Sequence, residues 1–324
     1  MNVMVIGAGG LIGRAVLSAL VLRGHQAFGV SRHPPFTLAA GAQSLIANRI
    51  EVESIASLIR VHRIDTVIDM IAYAEPSTNA LLGAIGHLTD RYILISSADV
   101  YRNYGLLHGL EAGTPDTDEL TEDAALRTSR YPYRGGEPRP DDDPAQWMDG
   151  YDKIPLEAST RLLNCDWTIL RLPMVFGPGD AQQRFRWALQ PIISEVERLD
   201  LPSAWLDWTT TYGHVDNVGD AIAHSVGSAE TRRGTFNIVD TQPASHSVWF
   251  QRFAAAAQWN GTVSGNANPE HPVAQATSHM HLSVQLKVSG RAFETVSKWT
   301  APLTLDMIVE RTLEDATRRW RPAK

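Results

Sequence analysis

Cysteine is almost absent: Cys165 stands alone, so no intrachain disulfide braces the fold, and the chain reads as made for a reducing compartment, the cytoplasm. Positive charge is in deficit. Lys and Arg number 29 against 36 Asp and Glu, a formal charge of −7, which argues against nucleic acid or an anionic membrane as the main partner. No apolar run approaches the ~20 residues that span a bilayer. The opening Met1-Asn2-Val3-Met4-Val5-Ile6-Gly7 lacks the cationic start and long apolar stretch of a secretion signal. His279 and His281 have no third ligand at suitable spacing, so no metal site is expected. What is present is ordinary for a soluble globular protein: 44% apolar and 20% charged residues over 324 positions, enough for two domains or one large α/β unit.

The first half alternates short β-rich runs with helical periodicity, the pattern of a parallel sheet covered on both faces. Strands are predicted at Val3–Ile6, Ala27–Val30, Ser44–Ala47, Thr66–Ile71, Tyr92–Ile95 and Trp167–Leu172. Between them, helices are predicted from Ile12 to Leu20, Val52 to Val61, Ala80 to Leu88 and Ile154 to Leu163. Repeated β-α-β units of this length imply a Rossmann-type doubly wound α/β fold. From Tyr101 to Asp149 the alternation stops, and Gly, Pro, Asp and Arg dominate a long irregular insertion of the kind that forms lids. Further helices are predicted at Phe185–Val196, Val215–Val226, Val248–Ala257 and Leu303–Trp320, with a strand at Thr235–Val239.

Gly7-Ala8-Gly9-Gly10-Leu11-Ile12-Gly13 lies between the first strand and the first helix. Glycines there let the backbone turn tightly and approach a pyrophosphate, which rests on the free N–H groups and positive end of the helix. Position makes the signal specific, since glycines in another context mark only a tight turn. The second strand ends in Val30-Ser31-Arg32-His33, with no acid to meet the ribose hydroxyls of NAD(H). Ser31 and Arg32 suit a 2′-phosphate instead, which points to NADP(H) ahead of NAD(H). Asn48, after the third strand, is placed to bond an adenine edge.

Several ordered motifs carry a family resemblance: the Gly7–Gly10–Gly13 spacing, Ile95-Ser96-Ser97-Ala98-Asp99-Val100-Tyr101, Lys153 with Glu157, Leu170 to Asp180, His214 to Val218, and Phe236-Asn237-Ile238. The sequence resembles the extended short-chain dehydrogenase/reductases, the NAD-dependent epimerase/dehydratase family. The resemblance implies a dinucleotide-binding domain, 1–177 with about 205–240, and a smaller discontinuous substrate-binding part, 178–204 with 241–324. It also implies chemistry by a Ser or Thr after the fifth strand, with a Tyr and a Lys separated by three residues. Ser97 and Lys153 match; the tyrosine position is Asp149.

The nearest tyrosine, Tyr151, is two residues from Lys153, and residues two apart on a helix face nearly opposite ways. Pro155, however, is tolerated only in the first helical turn, so the helix is predicted to begin between Tyr151 and Ile154. Tyr151 then precedes the helix and is free to reach Ser97. Three readings stand: Tyr151 as displaced acid/base, a desolvated Asp149 in that role, or a site that only binds dinucleotide. Tyr131 and Tyr133 are further phenols that the insertion can bring in.

On the substrate side, Asp99 and Tyr101 lie just past Ser97, while Arg184 and Arg186 are placed to clamp a diphosphate or carboxylate. Pro173 to Val175 match the segment that faces the nicotinamide in the family, with Pro173 at the cofactor. The expectation is an NAD(P)-dependent enzyme, in which hydride passes between nicotinamide and a carbinol or carbonyl carbon. Its substrate is expected to be a small polar molecule such as a sugar nucleotide, and its assembly a homodimer. The rival expectation is a regulatory protein that binds NADP(H) without catalysis.

Overall fold

The computed structural model describes residues 1–33, 39–266 and 269–320. In chain order the first half runs β1 (Asn2–Ile6), α1 (Leu11–Leu22), β2 (Gln26–Ser31), β3 (Gln43–Ile46), α2 (Val52–His62), β4 (Thr66–Asp69), α3 (Glu75–Ile85), β5 (Arg91–Ser97), α4 (Arg102–Leu107), α5 (Lys153–Arg161) and β6 (Asp166–Leu172). The second half adds β7 (Met174–Phe176), α6 (Arg186–Ile193), β8 (Arg198–Asp200), α7 (Ser203–Asp207), β9 (Thr209–Thr210), β10 (Tyr212–His214), α8 (Val215–Gly227) and β11 (Gly234–Asn237). It closes with β12 (Ala244–Ser245), α9 (His246–Ala256), β13 (Thr262–Ser264), α10 (Pro272–Ala276), α11 (Arg291–Ser297) and α12 (Leu305–Trp320).

Seven strands form one parallel sheet in the order β11-β6-β5-β4-β1-β2-β3. The order reverses around β1, where Val3 stands between Ala27 of β2 and Thr66 of β4. Ligands of such sheets bind beyond the carboxyl ends of the strands at this reversal. Successive side chains of a strand face opposite ways. Val3 and Val5 therefore pack under α1 and α8 with Leu17, Leu20 and Ile222, while Met4 and Ile6 meet Ile59, Leu81, Ile85 and Leu156 of α2, α3 and α5. A further core of Phe176, Phe185, Leu189, Trp249, Phe253 and Ile308 joins α6, α9 and α12.

The doubly wound architecture agrees with the sequence pattern, with local differences. Helix α3 starts at Glu75 rather than Ala80, because Pro76 fits the first turn and the backbone N–H of Thr78 already bonds Ala74 O. The insertion opens with α4, where an irregular chain was expected. Helix α6 stops at Ile193, three residues early, as the chain turns through a left-handed Glu195. Among the described residues no helix is long and apolar enough to cross a membrane.

Candidate active site

The turn after β1 is built on two glycines. Gly7 adopts φ +92°, a region that disfavours side chains, and a Cβ on Gly13 would stand 2.5 Å from Gly7 O. Gly10 caps α1 without a side chain, and the first turn holds no acid, so the free N–H groups face open space. A cavity of about 600 Å3 opens there, lined by Gly7, Gly10, Leu11, Ile12 and Gly13 on one side and by Ser97, Lys153 and Pro173 on the other. A dinucleotide fits this donor set: bare helix N-terminus, close-packed glycines, and room. Ser31, Arg32 and Asn48 are not among the described residues that line that cavity. Ser31 Oγ accepts from His33 N at 3.4 Å, and Asn48 Oδ1 from Ile50 N at 3.4 Å.

Helix α5 begins at Lys153. Asp152 caps it, accepting from Ile154 N at 3.2 Å, and Pro155 sits in the first turn. Tyr151 therefore precedes the helix, bridged to Ala74 in antiparallel fashion. Its hydroxyl donates to Asp99 Oδ2 at 2.8 Å. Burial, with the Asp99 charge beside it, pushes this phenol well above its usual pKa. Lys153 Nζ donates to Ala72 O at 2.6 Å and Ile95 O at 2.9 Å. Burial lowers its pKa to about 8. The ammonium lies 5.4 Å from the centre of the Tyr151 ring.

A second cavity, also about 600 Å3, adjoins the first. Ser97, Tyr151, Leu172 and Pro173 line both. Asp99 stands at its polar end: Oδ2 accepts from Tyr151 and, at 3.1 Å, from Tyr133 of the insertion. Asp99 Oδ1 is buried without a hydrogen-bond partner among the described residues, and burial raises the carboxyl pKa. Ser97 Oγ accepts from Asp99 N at 3.2 Å, which fixes the turn between them.

The insertion is held down by charge. Buried Arg127 donates to Asp99 O at 2.7 Å and to Asp152 Oδ1 at 2.8 Å, while Arg130 takes Asp152 Oδ2 at 2.6 Å. Tyr133 and Trp147 thereby reach the second cavity.

Three expected residues are engaged elsewhere. Asp149 lines neither cavity: its carboxylate accepts from Arg139 N at 2.6 Å and pairs with the Arg139 guanidinium, tying the insertion to itself. Tyr101 is buried under the sheet edge, donating to Asn237 Oδ1 at 2.6 Å and accepting from Arg171 at 3.1 Å. Arg186 is on the surface, bonded to Gln183 and Gln190. Arg184 borders both cavities but is paired with Asp180 at 2.9 Å. Trp147, Met280, Leu286 and Val288 line the second cavity without having been singled out in the sequence. The alternation of Val284, Leu286 and Val288 was the available signal for the last two.

No protein-family model and no curated protein sequence matches the chain. Solved structures do. UDP-glucose 4-epimerase of Thermotoga maritima, solved with UDP-glucose, is 16% identical with a TM-score of 0.67, covering 98% of this chain and 99% of that one. A short-chain dehydrogenase/reductase superfamily protein of Agrobacterium tumefaciens with bound NAD is 16% identical at TM-score 0.69, covering 98% of each chain. UDP-glucuronic acid 4-epimerase of Bacillus cereus, in complex with UDP-glucuronic acid and NAD, is 16% identical at TM-score 0.68, over 98% of this chain and 100% of that one. This chain has their fold. Each match runs over 98% of the chain.

Proposed function

We propose that the chain is a nicotinamide-dependent oxidoreductase acting at a carbinol or carbonyl carbon of a small molecule. The observation that carries this is the meeting of two cavities, one floored by the glycine turn and one ending at Asp99, on Ser97 and Tyr151. Bound at the first cavity, NAD(P) supplies the acceptor or donor of hydride. The chain's own groups manage the proton. Tyr151 stays protonated in this setting and donates to a carbonyl oxygen that Ser97 polarises. In the opposite direction Tyr151 takes the hydroxyl proton while passing its own to Asp99 Oδ2, so that the proton remains in the site. Lys153, with two N–H donors engaged on carbonyls, keeps its third for a nucleotide hydroxyl and holds positive charge beside the phenol.

Hydride returned to the same substrate gives epimerisation, and hydride retained gives simple oxidation or reduction; the neighbours with bound NAD and UDP-sugars support the first class of chemistry. The absence of an acid at Ser31 and Arg32 supports NADP(H) ahead of NAD(H), whereas the neighbours with NAD support NAD(H). A location in the cytoplasm remains in keeping with the lone cysteine. Tyr151 in contact with Asp99 weighs against the reading that the site binds nucleotide only.

Calorimetric titration with NAD+, NADH, NADP+ and NADPH is the first test. Uptake of a pyridine nucleotide, with Tyr151→Phe lowering turnover by ~100-fold or more at unchanged nucleotide affinity, is the expected result. No uptake of any of the four overturns the proposal.

A further inference from the structure

The second cavity carries little that holds a phosphate. Among the described residues lining it, Asp99 and Arg184 are the formally charged ones, and they oppose each other in sign. Arg184 is already neutralised, since Asp180 accepts from its guanidinium at 2.9 Å and from its backbone N–H at 3.1 Å. His108 adds no charge, because burial lowers its pKa to about 4. At the polar end an incoming anion meets Asp99, whose Oδ1 has no donor to balance it. Burying a diphosphate there sets negative charge against negative charge, with no unpaired cation among the described lining residues to offset the lost hydration.

The rest of the wall is mainly aromatic and aliphatic, with Trp205, Trp208, Tyr104, Met174, Met280 and Leu286. Of its uncharged polar residues, Thr210, Thr211 and Thr277 donate their hydroxyls to backbone carbonyls, and Gln182 lies where the two cavities meet. Trp205 and Trp208 lie 5.8 Å apart and 20° from parallel, and the Trp208 indole is fixed by donation to Val284 O at 2.9 Å. Preset rings of this kind favour a flat apolar partner. An uncharged partner brings no negative charge to Asp99, whose Oδ1 has no donor among the described residues. About 600 Å3 is within the range of pockets that enclose one small organic molecule.

We propose that the second cavity takes an uncharged aryl alcohol or aryl ketone, its ring against the tryptophan wall and its oxygen beside Ser97 and Tyr151, rather than a sugar nucleotide. This deepens the oxidoreductase reading and rests on it.

The test uses the full chain saturated with whichever nicotinamide nucleotide it binds, titrated separately with acetophenone, 1-phenylethanol and UDP-glucose, and followed by calorimetry and tryptophan emission. Saturable uptake of an aryl ligand and none of UDP-glucose is expected. Trp205→Ala weakens aryl uptake by about tenfold. Because that variant removes a large packed side chain, Trp147→Ala is measured beside it: Trp147 is half exposed in the insertion, and its loss weakens aryl binding about threefold without touching the core. Trp259→Phe, in a groove beside Val196 and outside both cavities, leaves aryl binding unchanged. Saturable UDP-glucose binding, no saturable aryl binding, or aryl binding indifferent to Trp205 and Trp147 each overturns the inference. Failure to bind any nucleotide is a separate result and strikes the oxidoreductase reading instead.

Discussion

Gly10 and Gly13 make opposite demands within one turn. A methyl on Gly13 would fall 2.5 Å from Gly7 O and 2.9 Å from Ala8 Cα, so backbone must move. A methyl on Gly10 would meet nothing nearer than 3.4 Å, and its φ of −73° suits any residue. Gly13→Ala is expected to lower both melting temperature and nucleotide affinity. Gly10→Ala keeps the melting temperature and loses about tenfold in affinity, because its methyl enters the nucleotide cavity; melts and titrations on both variants check the contrast. Lys153 gives a second residue-scale prediction. Its pKa of about 8 means the ammonium is present below that pH and becomes a neutral amine above it. Affinity for an anionic nucleotide therefore falls as pH rises through about 8, a dependence that Lys153→Met removes when dissociation constants are measured from pH 6.5 to 9.5. Tyr151 was legible as a phenol ahead of the helix because Pro155 confines the helix start to the residues just before it. The fate of Asp149 was not, since only the folded insertion brings Arg139 to it.

The insertion depends on a single buried cation. Arg127 joins the turn at Asp99, its own segment at Ser129, and the cap of α5 at Asp152. Arg127→Met leaves Asp152 its backbone N–H donors and, as cation, the half-exposed Arg130, and is expected to cost about 3–5 kcal/mol, read from the denaturant midpoint. The same variant should be nicked sooner between Gly109 and Ala145 under limited proteolysis. Strands and amphipathic helices were readable because burial on a sheet face imposes periods of 2 and 3.6. Helix α4 and the paired strands β7 and β10 were not, being shorter than the window over which such a period shows. Asp99 was noted for its position, but its pairing with Tyr133 comes from a contact across 34 residues, which no local pattern encodes.

At the scale of the whole molecule the chain leaves the sheet after β6, builds β7, α6 and α7, returns for α8 and β11, and then departs for α9 to α12. The sheet cores and the Phe176–Trp249 core thus share several strands of chain, and β7 and β10 join them. One cooperative transition is expected, with calorimetric and van't Hoff enthalpies agreeing; two resolved heat-absorption peaks would show that the cores unfold separately. The order of strands has a consequence for how such a molecule is made. β1 is synthesised before the other six strands of its sheet, yet it ends in the middle of that sheet, and one of its two neighbours is not translated until residues 66–69. Until then the glycine turn has no floor. Met70 and Ile71, which crowd Gly7, arrive only afterwards, so the capacity to hold a ligand at that turn appears with the fourth strand rather than the first.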